Sequence, residues 1–209
     1  MDESYLSVRT PVESEIKIEG STFIANLFPV CEEKEAQSHL TNTRKKFFDA
    51  THHCYAYVIG AGRSLVRHSD DGEPSGTAGV KILSAIQSKK LSDVLLIVTR
   101  YFGGTKLGIG GLGRAYYESA RKAVDAAEIV TKMLMHVVQI QFGFDQTNAV
   151  LHVIHTSGMK ILNTEYTSDG STVRVLIPPS KYEYCSLALS NATRGQVHCS
   201  IVDQTTVVL

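Results

Sequence analysis

Three carboxylates and two hydroxyls fall within eight residues at Asp70, Asp71, Glu73, Ser75 and Thr77, in the run DDGEPSGTAG at 70–79. Oxygen atoms at that density can hold Mg²⁺ or supply a general base. The same residues also have an architectural reading. Acids near a helix N-terminus are favoured by the helix dipole, serine and threonine cap it, and glycine permits unusual backbone angles.

The second chemically suggestive segment is RYFGGTKLGIGGLGR at 100–114, with six glycines between Gly103 and Gly113. A loop is expected here, ending at a helix N-terminus. The amides of Gly103, Gly104, Gly108, Gly110 and Gly111 would be unshielded there, and Lys106 or Arg114 could complete a phosphate site. Close packing or a chain reversal would require glycines just as well. Gly108, Gly110 and Gly113 spell G-x-G-x-x-G. A dinucleotide fold is nevertheless set aside, because the stretch after the strand is too long and the next acid, Asp125, lies inside the expected helix. No G-x-x-x-x-G-K-[ST] occurs, which argues against a P-loop.

Basic residues Arg44, Lys45 and Lys46 close one expected helix, and Arg63, Arg67, Arg100, Lys106 and Arg114 could align with exposed Tyr101 and Phe102. Cations that meet phosphates beside aromatics that stack on unpaired bases would suit RNA. A solvated face beside core aromatics is the other reading. His52, His53, Cys54 and His68 flank the acidic run and form a weak candidate metal set. His152 and His155 lack an acidic neighbour or third ligand and are set aside. No metal or cofactor is expected, except Mg²⁺ if the chain acts as an enzyme.

The elements that must position these segments follow from periodicity. Residues 15–30 read as a hairpin turning at Gly20-Ser21, and Glu32 to Phe48 as a helix with an acidic start and a basic end. Strands are expected at Cys54–Ile59 and Ser64–His68, then a helix capped by Ser75 or Thr77 and running to about Lys90. The unbroken apolar run VLLIVT at 94–99 predicts a strand buried on both faces. A long helix follows the glycines, with Leu112, Ala115, Tyr116, Ser119, Ala123 and Ala127 at helical spacing. Beyond residue 132 the pattern becomes β-α-β-β-α-β, the order of a ferredoxin-like domain. The expected fold class is therefore α+β, with domains at 1–132 and 133–209.

Composition sets limits on function. Lys plus Arg and Asp plus Glu both total 21, so a nucleic-acid site must be a local patch rather than a global field. Four scattered cysteines with no C-x-x-C pair suggest reduced thiols, and the absence of a long apolar run or leader-like start suggests a cytoplasmic protein without membrane contact.

The strings DDGEPSGTAG at 70–79 and RYFGGTKLGIGGLGRAY at 100–116, with THHCYAY at 51–57, resemble the paired signatures of the YigZ/IMPACT family. That resemblance implies an N-terminal domain of the ribosomal-protein-S5-domain-2-like type and a ferredoxin-like C-terminal domain, as in the last two domains of elongation factor G. It thereby implies contact with RNA, the ribosome or a translation-associated protein, and a role in regulating translation. Eukaryotic members carry the signature domain beside a different partner-binding domain, not recognisable in this sequence, and modulate translation initiation by competing for a regulatory protein. The alternative is an enzyme or binding protein for a phosphorylated small molecule or nucleotide, using the acidic and glycine-rich segments.

Overall fold

The structure, a computed structural model, describes residues 3–209. It contains two antiparallel sheets and five α-helices, and the chain divides into two compact units, one ending at Thr131 and the other Lys132–Leu209. No helix among the described residues is long and apolar enough to cross a membrane.

The first unit comprises β1 (Ser4–Val8), β2 (Val12–Ile18), β3 (Ser21–Pro29), α1 (Glu33–Lys46), β4 (His52–Ile59), β5 (Leu65–Ser69), α2 (Gly79–Ser88), β6 (Val94–Tyr101) and α3 (Gly108–Ala126). Its sheet runs β2-β3-β6-β4-β5, with every neighbouring pair antiparallel. The central position of β6 explains its apolar sequence. Val94, Leu96 and Val98 pack with Ile82 and Ile86 of α2 and Leu112, Ala115 and Tyr116 of α3. Leu95 and Ile97 pack on the opposite face with Ala36 and Leu40 of α1 and with Tyr57.

Three local expectations need correction. The β2–β3 hairpin turns at Glu19 and Gly20, one residue earlier than expected, and Ile18 pairs with Ser21. Both turn residues have positive φ, 46° and 80°, which matches the right-handed strand twist in a two-residue turn. Strand β1 was not anticipated from its charged and apolar alternation; just past its end the Arg9 amide donates to the Glu128 carbonyl at 3.0 Å. Finally, α3 begins at Gly108, so Gly108, Gly110, Gly111 and Gly113 are helical rather than part of a loop.

The second unit contains β7 (Ile129–Phe142, most of which lies beyond the boundary), α4 (Thr147–Thr156), β8 (Lys160–Tyr166), β9 (Ser171–Ile177), α5 (Tyr182–Ala192) and β10 (His198–Val208). Its strands run β8-β9-β7-β10, all antiparallel. Val150, Val153 and Ile154 of α4 and Cys185 and Leu189 of α5 cover Val138, Ile140, Val173, Val175 and Ile177. The β-α-β-β-α-β element order is the expected one.

Candidate functional site

The acidic run leaves β5 at Ser69 and folds back onto the start of α2. Neither Ser75 nor Thr77 caps that helix: its N-cap is Ala78, without a side-chain cap, and Thr77 Oγ1 instead donates to the Pro74 carbonyl at 2.6 Å. Asp70 does the work from eight residues upstream. Its Oδ1 accepts from the amides of Ala78 and Gly79 at 2.9 and 2.8 Å, and its Oδ2 from Gly76 at 2.9 Å. Burial raises the Asp70 pKa, but the three amides outweigh it and hold the carboxyl below its ordinary value.

The other two acids are also engaged. Asp71 Oδ2 accepts from the His53 amide and Oδ1 from Arg44 Nη2, both at 2.7 Å. Glu73 Oε1 accepts from Arg100 Nη1 and from the Tyr116 hydroxyl, both at 2.8 Å. Cys54 Sγ lies 3.3 Å from that hydroxyl and 3.0 Å from the Asp70 carbonyl. Burial pushes the Cys54 thiol up to about 12 and raises the Tyr116 phenol still further, so both are neutral at physiological pH. This buried chain of polar contacts ties the two motif segments together. It also engages Asp70, Asp71 and Glu73 Oε1 with protein donors, while among the described residues Glu73 Oε2 has only His52 Nε2 nearby, at 3.9 Å.

The histidines do not converge on a metal. His52 Nδ1 lies 2.8 Å from the Asp71 carbonyl and His53 Nε2 3.1 Å from that of Phe47. Among the described residues no group of three or more His, Cys, Asp or Glu could hold a metal ion.

Within the glycine-rich segment, Arg100 and Tyr101 are not the free surface contacts expected of them. Arg100 is buried beneath Phe23 and Phe102, each ring centroid 5.4 Å from its guanidinium carbon, and it is paired with Glu73. The Tyr101 hydroxyl donates to Asp49. Gly103 packs directly against the Gly20 backbone, where a Cβ would sit 1.9 Å from the Gly20 carbonyl carbon. Gly104, at φ +88°, reverses the chain toward Lys106. These glycines serve close approach and turning, one of the two readings the sequence left open.

What remains accessible is a set of three hollows along α3. The first, about 240 Å³, is lined by Glu73, Pro74, Arg100, Phe102, Lys106, Leu107, Gly108 and Ile109. The second, about 490 Å³, is lined by Ser75, Thr77, Lys81, Ile109, Gly110, Gly113, Arg114 and Tyr117. The third, about 560 Å³, continues from Arg114 and Tyr117 to Arg121 and Lys122, with Glu118 and Asp125 among its walls. The first and second share Ile109, and the second and third share Arg114 and Tyr117, so the three are neighbours along α3. Of the residues singled out from sequence, Lys106 and Gly108 line the first hollow, and Ser75, Thr77, Gly110 and Arg114 the second. Lys81 and Tyr117 were missed, because only the packing of α2 on α3 brings them there.

The remaining basic residues lie elsewhere. Arg44 pairs with Asp71 and Lys46 with Glu13, and Arg63 lines a separate hollow with Lys90. The basic and aromatic face expected from sequence is therefore split: Arg44, Lys46 and Arg63 are exposed away from the hollows along α3, which hold Lys106 and Arg114.

The family model for the Impact N-terminal domain matches residues 19–124, which include both motif segments, α1, α2 and most of α3. The IMPACT family member YvyE of Bacillus subtilis is 38% identical over 79% of this chain and 76% of its own length. The IMPACT family member YigZ of Escherichia coli is 29% identical over 97% of this chain and its full length. A crystal structure described as that of a hypothetical protein superposes with a TM-score of 0.72 at 29% identity, covering 97% of this chain and 99% of its own.

Proposed function

The chain belongs to the IMPACT family, and from that premise we propose that it is a cytoplasmic RNA-binding protein that acts in translation through the groove along α3. The observation that carries this reading is the groove wall itself. Lys81 and Arg114 face it without an ion pair among the described residues, beside the Tyr117 ring and the Ser75 hydroxyl. Cations spaced along a track next to an aromatic ring are suited to a nucleic-acid backbone with unpaired bases. The groove follows the helix whose first turn carries the unshielded amides, so the electrostatic field is local and needs no net positive charge on the chain.

The architecture lends support. Numbered within the second unit, its four strands run 4-1-3-2 around a β-α-β-β-α-β chain, which supports reading it as ferredoxin-like. We read the first unit as S5-domain-2-like on the resemblance of its motifs, and that pairing of domains suits a ribosomal or RNA partner.

Cosedimentation with ribosomes and with bulk RNA across a salt series tests the proposal. Binding should weaken as salt rises, because neutralised phosphates release counterions. Lys81→Ala and Arg114→Ala should each weaken it further and flatten the salt dependence. Binding that persists unchanged in both variants, or that survives high salt and nuclease, would assign the partner to protein instead.

A further inference from the structure

The face of the first sheet opposite α2 and α3 carries a separate hollow, about 330 Å³, between α1 and the edge strand β2. Two of its lining residues, Asn26 of β3 and Thr43 of α1, are each only 5% exposed, yet each keeps a polar atom without a hydrogen-bond partner among the described residues. The Asn26 amide donates through Nδ2 to Glu13 Oε2 at 2.9 Å, and its Oδ1 accepts from no group. Thr43 departs from the habit of its own helix. Thr41 Oγ1 donates to the Gln37 carbonyl four residues back, at 2.9 Å, whereas Thr43 Oγ1 makes no such bond. Neither atom is sealed. Among the described residues, the unpartnered polar side-chain atoms shut off from solvent belong to Ser14, Thr99, Arg100, Ser119 and Ser171. Asn26 Oδ1 and Thr43 Oγ1 therefore reach solvent, and the hollow that both residues line is where they do so.

The rest of the wall narrows the choice of ligand. Glu13 stands directly across from Asn26 in the β2–β3 register, and both of its hydrogen bonds, from Asn26 and from Lys46 Nζ at 2.7 Å, fall on Oε2. Oε1 is left to accept from a ligand. The Lys46 and Asn26 bonds hold the carboxyl below its ordinary value, so it is ionised at neutral pH. Lys46 matches that charge at the rim, and the pair favours neither a cation nor an anion. Phe28 and His39 supply an aromatic wall, their rings stacked at 4.3 Å and 17°. A neutral, planar heteroaromatic ligand meets these conditions, because it stacks on the rings and presents hydrogen-bonding groups along one edge. Asn26 and Thr43 are held by their burial while their free atoms remain open, which is the preorganisation such recognition needs.

We propose that this hollow binds a guanine base, its N1–H and N2–H groups donating to Asn26 Oδ1 and Glu13 Oε1, its O6 accepting from the Thr43 hydroxyl, and its ring against Phe28 and His39. Guanine is the nucleobase whose pairing edge sets two adjacent N–H donors beside a carbonyl acceptor. Adenine has one donor group on that edge and no carbonyl, and uracil has a single N–H between two carbonyls. The same edge is presented by a free guanosine and by an unpaired guanine of RNA. The site lies on the opposite face of the sheet from the α3 groove and stands independently of the reading given to that groove.

Isothermal titration calorimetry of the full chain with guanosine, inosine and adenosine provides the test. Guanosine should bind, and inosine, which lacks the N2 amine, should bind about tenfold more weakly, equivalent to about 1.4 kcal/mol. Adenosine should do no better than inosine. Thr43→Val should lower guanosine affinity about tenfold while the Tm of the free protein stays unchanged or rises, because a methyl group replaces a hydroxyl that has no partner. Glu13→Ala should bring guanosine and inosine to the same affinity, and Arg114→Ala should alter neither. Absence of guanosine binding, equal affinity for all three nucleosides, or guanosine binding undiminished in Thr43→Val would each overturn the proposal. A short single-stranded RNA with one guanine among uridines separates the two sources. Binding tighter than that of guanosine and dependent on Thr43 assigns the base to an RNA strand, whereas Thr43-dependent binding no tighter than that of guanosine assigns it to a free nucleoside or nucleotide.

Discussion

Arg100 and Glu73 form an ion pair at 2.8 Å whose side chains are only 7% and 5% exposed. It joins β6 to the acidic run across 27 residues of sequence. Removing one partner of such a pair leaves the other charge buried and unmatched, which typically costs about 3–5 kcal/mol. Glu73→Ala should therefore lower unfolding stability by that order in urea titration. The double variant Glu73→Leu with Arg100→Met should recover most of the loss, because neither charge is then stranded.

Gly103 and Gly20 meet backbone to backbone. A methyl group at Gly103 would lie 1.9 Å from the Gly20 carbonyl carbon and 2.3 Å from the Ser21 nitrogen, neither of which can swing aside as a flexible side-chain end can. Gly103→Ala should cost about 1–3 kcal/mol or more, as overpacking does. Gly104→Ala meets no such contact but must adopt φ +88°, so a smaller thermal shift is expected there.

Acidification should reduce stability in two limbs. Burial holds the folded pKa of His53 below its ordinary 6.5, so the unfolded chain takes up that proton first. The corresponding stability is intact above about pH 6.5 and is lost as pH falls toward the folded value. Asp70, depressed below 3.8, adds a second loss at lower pH. His53→Asn should remove the upper limb, and Asp70→Ala the lower one together with about 0.5–2 kcal/mol of helix capping. Thermal melts between pH 3 and pH 8, at intervals of about one unit, would resolve both.

On the alkaline side the sign reverses. The folded pKa of Cys54 stands at about 12 against an ordinary 9.0, so its contribution is present below pH 9 and is lost as pH rises toward 12. Cys54→Ala should flatten the alkaline decline in Tm relative to the native chain.

How far the sequence disclosed these relationships depended on the range of the forces involved. Strand β6 was legible because burial on both faces leaves an unbroken apolar run, and α1 because its end charges follow the helix dipole. The start of α3 was hidden, since Gly110 and Gly111 are poor helix formers and only packing of the following turns against the sheet makes them helical. Arg100 looked like a surface cation for a related reason. Its burial is set by register, opposite Phe23 on one side and His52 on the other, and local sequence does not reveal cross-strand neighbours. Lys81 escaped notice because the groove exists only once α2 and α3 pack together.

The glycines that open α3 also govern how rigid its first turn is. Gly110 and Gly111 each cost roughly 1 kcal/mol relative to alanine in a helix, so this turn is the cheapest part of α3 to unwind. Local opening there should show as rapid amide hydrogen exchange, slowing when phosphate orders the turn. At Gly110 an added methyl would meet only Arg114 Nη1, at an ordinary 3.7 Å, so Gly110→Ala is sterically admissible. By ordering the turn in advance, it would make the free protein resemble the bound one, slow exchange without ligand, and tighten anion binding. The glycine-rich start of α3 would thus set an entropic threshold for any anion that orders this turn, separate from the attraction of charge.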